Sequence, residues 1–144
     1  MWARVFSPTE TELAVPLIQQ RLHELGVPDF VEVKGDELGW TSLRADTLVI
    51  ERYLLEADDL RGELDAWAAV VEAWDAGSVG RDLMQRFITV RQVVTLTGLD
   101  RQLLTTLAQF FAGALSGFYQ VDEVGIYESS GQILVAEPSS SEPE

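Results

Sequence analysis

The apolar residues at the start of the chain change from a strand period to a helical one. Trp2–Ser7 alternates as a strand does. Ser7-Pro8-Thr9-Glu10 has the form of a capping box with proline at the first helical position, and Gly26 has the form of a helix end. A helix is therefore predicted between them, with an apolar stripe of Leu13, Leu17, Ile18, Leu22 and Leu25. Residues 30–33, 38–43 and 47–53 are predicted strands, the last two flanking a turn at 44–46.

The same order of patterns returns in the last third of the chain. Residues 92–97 are rich in β-branched side chains and predict a strand, and residues 97–100 stand where a helix cap is expected. A helix should follow and end at Ser116-Gly117, with Leu103, Leu104, Leu107, Phe110, Phe111, Ala114 and Leu115 as its apolar residues. Because apolar residues cover more of this helix than of the first, we expect it to be buried more deeply. Strands are predicted at 118–121, 124–128 and 132–137.

The two regions also match residue by residue. Residues 36–51 and 122–137 align without a gap at a constant offset of 86, and identical residues stand at Asp36/Asp122, Glu37/Glu123, Gly39/Gly125, Leu48/Leu134, Val49/Val135 and Glu51/Glu137. Internal similarity of this kind indicates a repeated structural unit. Each unit is interpreted as β-α-β-β, with a break of the middle strand at Asp-Glu-x-Gly as the alternative. Two extra residues in the first unit, Lys34-Gly35, are interpreted as a bulge or a longer turn.

A helical connector is predicted between the units. Its first helix should be capped by Asp58-Asp59 and carry an apolar stripe of Leu60, Leu64, Trp67, Val71 and Trp74. After a loop at 75–80, residues 81–88 predict a second helix. Residues 81–97 also fit one continuous helix. The repeat favours the other interpretation, in which the helix gives way to a strand near Thr89.

The predicted fold class is α+β, with two tandem β-α-β-β repeats related by a pseudo-two-fold axis and a mostly antiparallel sheet with helices packed on it. Residues 1–137 should form one domain, in which the first repeat covers about 2–55, the connector about 56–88 and the second repeat about 89–137. Residues 138–144 contain only Pro, Ser and Glu and predict a disordered acidic tail.

Composition narrows the classes of function. The 144 residues carry a net charge of −14, spread along the chain, which argues against binding to nucleic acid or to an anionic membrane. A basic protein partner would be attracted. No cysteine is present, and no apolar stretch is long enough for a membrane span or a signal peptide, so we expect a cytoplasmic protein.

The repeated acidic pairs are the one candidate for a metal site. Asp36, Glu37, Asp122 and Glu123 would supply the oxygen ligands that hard cations prefer if the repeats brought them together. The alternative is a turn, in which aspartate bonds to the backbone and the glycine adopts a positive φ. We interpret the motif as a turn, because a calcium loop carries more oxygen ligands at close spacing, and we predict no metal and no cofactor.

Catalytic chemistry has little support in the sequence. His23, the one histidine, is predicted to be exposed on the first helix, and no nucleophile–base spacing accompanies it. Lys34, the one lysine, is expected in an exposed turn, whereas a catalytic lysine is normally buried. The chain is therefore predicted not to be an enzyme.

Trp67 and Trp74 are weak candidates for a partner-binding surface. They lie seven residues apart on the connector helix, so they should share one face. We interpret that face as core. The alternative is an exposed aromatic ridge that contacts a partner protein.

The leading hypothesis is a non-catalytic interaction or regulatory protein that binds a protein partner through the repeat interface or an exposed face; self-association is compatible with it. The alternative is a small-molecule or ion sensor with its site between the repeats. A carboxylate/His23 enzyme ranks third and an acidic decoy of a nucleic-acid-binding protein fourth.

Overall fold

The computed structural model describes residues 1–27, 30–34 and 39–138. In this part of the chain, eight strands and four helices follow one another in the order β-α-β-β-β, α-α, β-α-β-β-β. The first unit contains β1 (Trp2–Ser7), α1 (Val15–Glu24), β2 (Val31–Lys34), β3 (Trp40–Ala45) and β4 (Leu48–Leu54). The connector contains α2 (Arg61–Trp74) and α3 (Ser78–Ile88). The second unit contains β5 (Gln92–Thr97), α4 (Arg101–Ala114), β6 (Phe118–Val121), β7 (Gly125–Glu128) and β8 (Ile133–Ala136).

All eight strands join one antiparallel sheet in the order β2-β3-β4-β5-β1-β6-β7-β8. The α+β class and the antiparallel sheet are thus confirmed. The first strand of each unit lies at the centre, where β1 is inserted between β5 and β6 of the second unit. The two units therefore share one sheet and cannot be separated without breaking its central pairs.

The pseudo-two-fold axis is not confirmed by this strand order. In the first unit, the strand of β2-β3-β4 that lies nearest the centre of the sheet is the last one, β4. In the second unit, the strand of β6-β7-β8 nearest the centre is the first one, β6. The registers differ as well. Ser42 pairs with Glu51, and the offset of 86 would pair Glu128 with Glu137, yet β7 and β8 pair Ile126 with Val135. The two hairpins therefore do not superpose as equivalent pairs, and the tandem repeat remains a prediction.

The middle strand of the second unit is broken at its Asp-Glu-x-Gly step, as in the alternative interpretation. Glu123 has φ 66° and Gly125 has φ 153°, so the chain reverses between β6 and β7. In the first unit Asp36 and Glu37 lie outside the described residues, and Gly39 after them has φ 104°. The pairing of β2 with β3 shifts between Val33 and Lys34, where a bulge was one of the two expectations.

Helices cover both faces of the sheet. On one face α1 and α4 pack against a core that includes Val5, Trp40 and Ile50. On the other face α2 and α3 pack against a second core. The expected deeper burial of the second unit's helix is confirmed: five residues of α4 are buried, whereas two of α1 are.

The predicted capping box at residues 7–10 is wrong, because α1 begins at Val15 with Pro16 in its first turn. Ser7 remains in β1, where its hydroxyl donates to the Leu115 carbonyl at 2.8 Å. The segment 8–14 stays irregular because buried side chains from the sheet bind its carbonyls. Arg52 donates to the carbonyl of Glu10, and Gln92 donates to the carbonyls of Thr9 and Thr11.

The connector has its two predicted helices, but Asp58 does not cap the first. Its Oδ2 instead accepts a hydrogen bond from the Leu54 amide at 2.8 Å, and α2 has Leu60 at its N-cap position. Within residues 81–97 the helix ends at Ile88 and β5 follows, so the interpretation as one continuous helix is wrong. None of the helices in the described residues combines the length and the apolar character needed to cross a bilayer.

Candidate ligand-binding cleft

A cleft of about 320 Å³ opens between the middle of the sheet and the first half of α2. Strands β4, β5 and β1 form its floor, so it lies where the first and second units interlock beneath the connector. We call it the junction cleft. It is lined by Arg4, Tyr53, Asp58, Leu60, Glu63, Trp67, Val93 and Thr95. Its volume is at the lower end of the range typical of small-molecule sites.

Strand register places the floor residues side by side. Arg4 on β1 pairs with Thr95 on β5, and Thr95 pairs in turn with Glu51 on β4. One row further along, Val93 pairs with Tyr53. Since alternate residues of a strand point to the same face, Arg4, Trp2 and Phe6 all face α2. A charged group thus lies within an otherwise aromatic strand face.

The guanidinium of Arg4 lies against two indole rings. Its Cζ is 4.1 Å from the centre of the Trp2 ring and 4.5 Å from the centre of the Trp67 ring. Contacts of this kind hold the cation over the ring faces. Among the described residues, Arg4 forms no side-chain hydrogen bond and no ion pair. Its donors are therefore not used within the described part of the protein.

Burial sets the electrostatics of Arg4. Loss of water lowers the pKa of Arg4 below its ordinary value, and the negative charges of Glu63 and Asp122 raise it. An arginine so displaced is still a cation at neutral pH. The charge is thus held in a partly dry site, where an anionic group would be bound more strongly than on the open surface.

Two exposed carboxylates, Asp58 and Glu63, line the cleft on the side of α2. Glu63, in the first turn of α2, forms no hydrogen bond or ion pair with a described residue. Asp58 has one oxygen bound by the Leu54 amide. Burial raises the pKa of Tyr53, and so do the negative charge of Glu51, the side-chain hydrogen bond to Glu51, and the negative charges of Asp58 and Glu63. The Tyr53 hydroxyl therefore remains protonated at neutral pH.

In or beside two other clefts an arginine forms a close ion pair. In a cleft of about 260 Å³ between α3 and the β7–β8 end of the sheet, Arg86 Nη1 lies 2.9 Å from both carboxylate oxygens of Glu128. Beside a cleft of about 380 Å³ lined by Glu10 and Glu56, Arg91 Nη2 lies 2.6 Å from Glu10 Oε1. Arg4 and Glu63 differ from these pairs: they line one cleft with opposite charges and do not bind each other.

The residues proposed from sequence fall in several places. Asp122 is half-buried and close enough to Arg4 to act on its pKa, while exposed Glu123 lies 3.9 Å from Arg101 in an ion pair. Asp36 and Glu37 lie outside the described residues. Among the described residues no group of three or more potential metal ligands is found.

His23 and Lys34 do not belong to the junction cleft. His23 is exposed in the last turn of α1, on the face of the sheet opposite to α2. Lys34 ends β2, an edge strand of the sheet, and its side chain is outside the description. The one histidine and the one lysine of the sequence thus do not line the junction cleft.

Trp67 and Trp74 are both half-buried against the core of the α2 face. Trp67 combines the two interpretations made from sequence, since its edge packs on Phe6 with ring centres 5.3 Å apart and its ring also lines the cleft. Sequence reasoning missed Arg4, Tyr53 and Glu63. The available signal was the arginine between Trp2 and Phe6 on one strand face.

In comparisons with known proteins, no protein-family model matches the chain, and no curated protein or solved structure matches it significantly.

Proposed function

We propose that this protein is a non-catalytic cytoplasmic binding protein that takes up a small polar ligand in the junction cleft. The observation that carries the proposal is a pair of opposite charges: Arg4 and Glu63 line one cleft, and neither forms a close ion pair or side-chain hydrogen bond with a described residue. Arg4 is half-buried and has lost part of its hydration, and an anionic group of a bound ligand would offset that loss, whereas Glu63 is exposed. The proposal corresponds to the small-molecule alternative stated from the sequence, and it needs no two-fold relation between the units.

The surroundings of the cleft favour binding over catalysis. Acid–base catalysis needs a group that gains and loses a proton near neutral pH. The cleft's arginine is a cation and its tyrosine is held in the protonated form, and His23 is on the other face of the sheet. The carboxylates can accept hydrogen bonds from a ligand without further chemistry.

A cleft-filling substitution tests the proposal directly. Thr95→Phe places a ring on the floor of the cleft, whereas Thr97→Phe places the same ring on an exposed position of the same strand and the same face. A library of small polar compounds with anionic, cationic, zwitterionic and neutral members would be screened by NMR, with the Trp67 indole N–H as reporter. We expect binders for the natural protein and for Thr97→Phe, and their loss in Thr95→Phe. If no compound of any charge class shifts Trp67, the proposal is wrong.

A protein partner is the second candidate. Trp2, Arg4, Tyr53 and Trp67 are half-exposed around the cleft, and these residue types dominate interface hot spots. With a net charge of −14, the partner would be basic. Titration with a lysine-rich peptide and with a glutamate-rich peptide of equal length tests this candidate. Binding of the lysine-rich peptide that is lost in Trp67→Ala and kept in Trp74→Ala would support it, and equal loss in both variants would exclude the cleft as the contact.

A further inference from the structure

The charges that line the junction cleft define the chemistry of its ligand. The inference rests on the proposed function and goes further, since it names a class of compound. One cation and two carboxylates line the cleft, namely Arg4, Asp58 and Glu63. A purely anionic ligand would bind Arg4 but would be repelled by both carboxylates, and a purely cationic ligand would be repelled by Arg4.

A ligand with both charges satisfies both sides. A carboxylate can accept two parallel hydrogen bonds from the N–H groups of Arg4, which bind no described residue. An ammonium group can donate to Glu63 and to the oxygen of Asp58 that the Leu54 amide does not bind. Each ligand charge thus has an unused partner of opposite sign.

The rest of the lining limits the size and polarity of the ligand. Leu60, Val93 and Trp67 give an apolar wall, and the hydroxyls of Tyr53 and Thr95 give a polar one. A volume of about 320 Å³ accommodates one amino acid. We infer that the junction cleft binds a free α-amino acid or an amino-acid-sized compound that carries one carboxylate and one ammonium group.

Blocked amino acids test the two charges separately. The twenty free amino acids would be titrated individually, and any binder would be compared with its amide, which lacks the carboxylate, and its N-acetyl form, which lacks the ammonium. We expect each blocked form to bind about tenfold or more weakly, because each lacks one charge-assisted hydrogen-bonding group. Failure of all twenty to bind at millimolar concentration, or binding of the blocked forms with equal affinity, would overturn the inference.

Two variants connect each ligand charge to its partner. In Arg4→Gln we expect the amide to bind as well as the free acid while the N-acetyl form stays weak. In Glu63→Gln we expect the converse, with the loss on N-acetylation reduced. Arg44→Gln and Glu72→Gln, which change exposed residues on β3 and α2, are the matched controls and should behave as the natural protein.

A third measurement keeps the test independent of folding. Circular dichroism and the Trp67 indole resonance would be recorded for every variant to show that it is folded. Titration of the natural protein with the blocked ligands tests the inference without any substitution. If compounds of another charge class bind in the cleft and zwitterions show no advantage, the inference is wrong while the proposed function stands. If nothing binds there, both are wrong.

Discussion

Arg52 and Gln92 are joined by a buried hydrogen bond between β4 and β5, in which Arg52 Nε donates to Gln92 Oε1 at 2.5 Å. Gln92 is fully buried, and Arg52 is 6% exposed. Together they bind three consecutive carbonyls of the segment that leads into α1, those of Thr9, Glu10 and Thr11. Burial lowers the pKa of Arg52, while Glu12, Asp58 and Glu10 raise it. This pair therefore fixes the path of the chain from the central strand to the first helix.

Arg52→Met should lower the free energy of unfolding by about 3 kcal/mol, because it leaves the Gln92 oxygen and the Glu10 carbonyl without their charged donor. Urea denaturation measures the change. Arg44→Met, on an exposed position of β3, should change stability by less than about 0.5 kcal/mol.

A double-mutant cycle with Gln92→Met separates the pair from its surroundings. We expect a coupling of about 1–2 kcal/mol, since the two side chains share one network. Strict additivity of the two substitutions would show that Arg52 and Gln92 stabilise the segment independently.

Gly117, between α4 and β6, is a second position at which close packing determines the path of the chain. A Cβ on this residue would lie 2.1 Å from the Phe6 carbonyl oxygen of β1, which is backbone and cannot move aside cheaply. Gly117→Ala should therefore destabilise the fold by more than about 2 kcal/mol. Gly113, four residues before Gly117 and inside α4, has open space around it. Gly113→Ala should stabilise by about 0.5–1 kcal/mol, and chemical denaturation that gave both variants the same sign would contradict this account.

Local sequence patterns predicted the elements well where the residues of the element themselves determine its structure. Trp2–Ser7 and Phe118–Val121 were predicted with their observed bounds, and Asp100 caps α4 by accepting from the Leu103 amide. The capping box predicted at Ser7 was wrong because the side chains that prevent a helix there, Arg52 and Gln92, are distant in sequence. The Arg52–Gln92 pair binds the carbonyls that a helix starting there would have needed.

Strand order and the cleft could not be predicted for the same reason. The similarity of 36–51 to 122–137 says which elements recur, but not that β1 inserts between β5 and β6. That insertion sets Arg4 against Trp67 of the connector and beside Thr95 of the second unit. A binding site made of four elements is visible only once the sheet is assembled.

Tyr53 should make stability fall in alkaline solution. Its pKa is raised above the ordinary value of 10.0, so the folded state favours the protonated form. The stability this provides is complete below the pKa of the unfolded chain, about 10, and is lost as pH rises through the higher folded value. Tyr119 acts in the same direction, since burial and Tyr127 raise its pKa.

Tyr53→Phe should therefore lose less stability than the natural protein between about pH 8 and about pH 11, and addition of Tyr119→Phe should reduce the loss further. Urea denaturation at a series of pH values gives the slopes, and tyrosinate absorbance gives the titration. An alkaline slope unchanged by both substitutions would assign the loss to other groups.

Phe6 connects the core of the α2 face to the cleft. It is fully buried, it packs on Phe87 and Phe118 with ring centres 4.9 and 5.1 Å apart, and it meets the Trp67 ring edge-on. Phe6→Leu should lower stability by about 1–2 kcal/mol through the lost ring contacts. Because one support of Trp67 is lost, the Trp67 indole resonance should also shift and broaden.

Phe111→Leu is the matched control, since Phe111 is equally buried and its ring centre lies 6.5 Å from that of Trp40 on the other face of the sheet. It should cost similar stability and leave Trp67 unchanged; an equal response of Trp67 to both substitutions would show that the cleft depends on overall stability and not on the packing of Phe6.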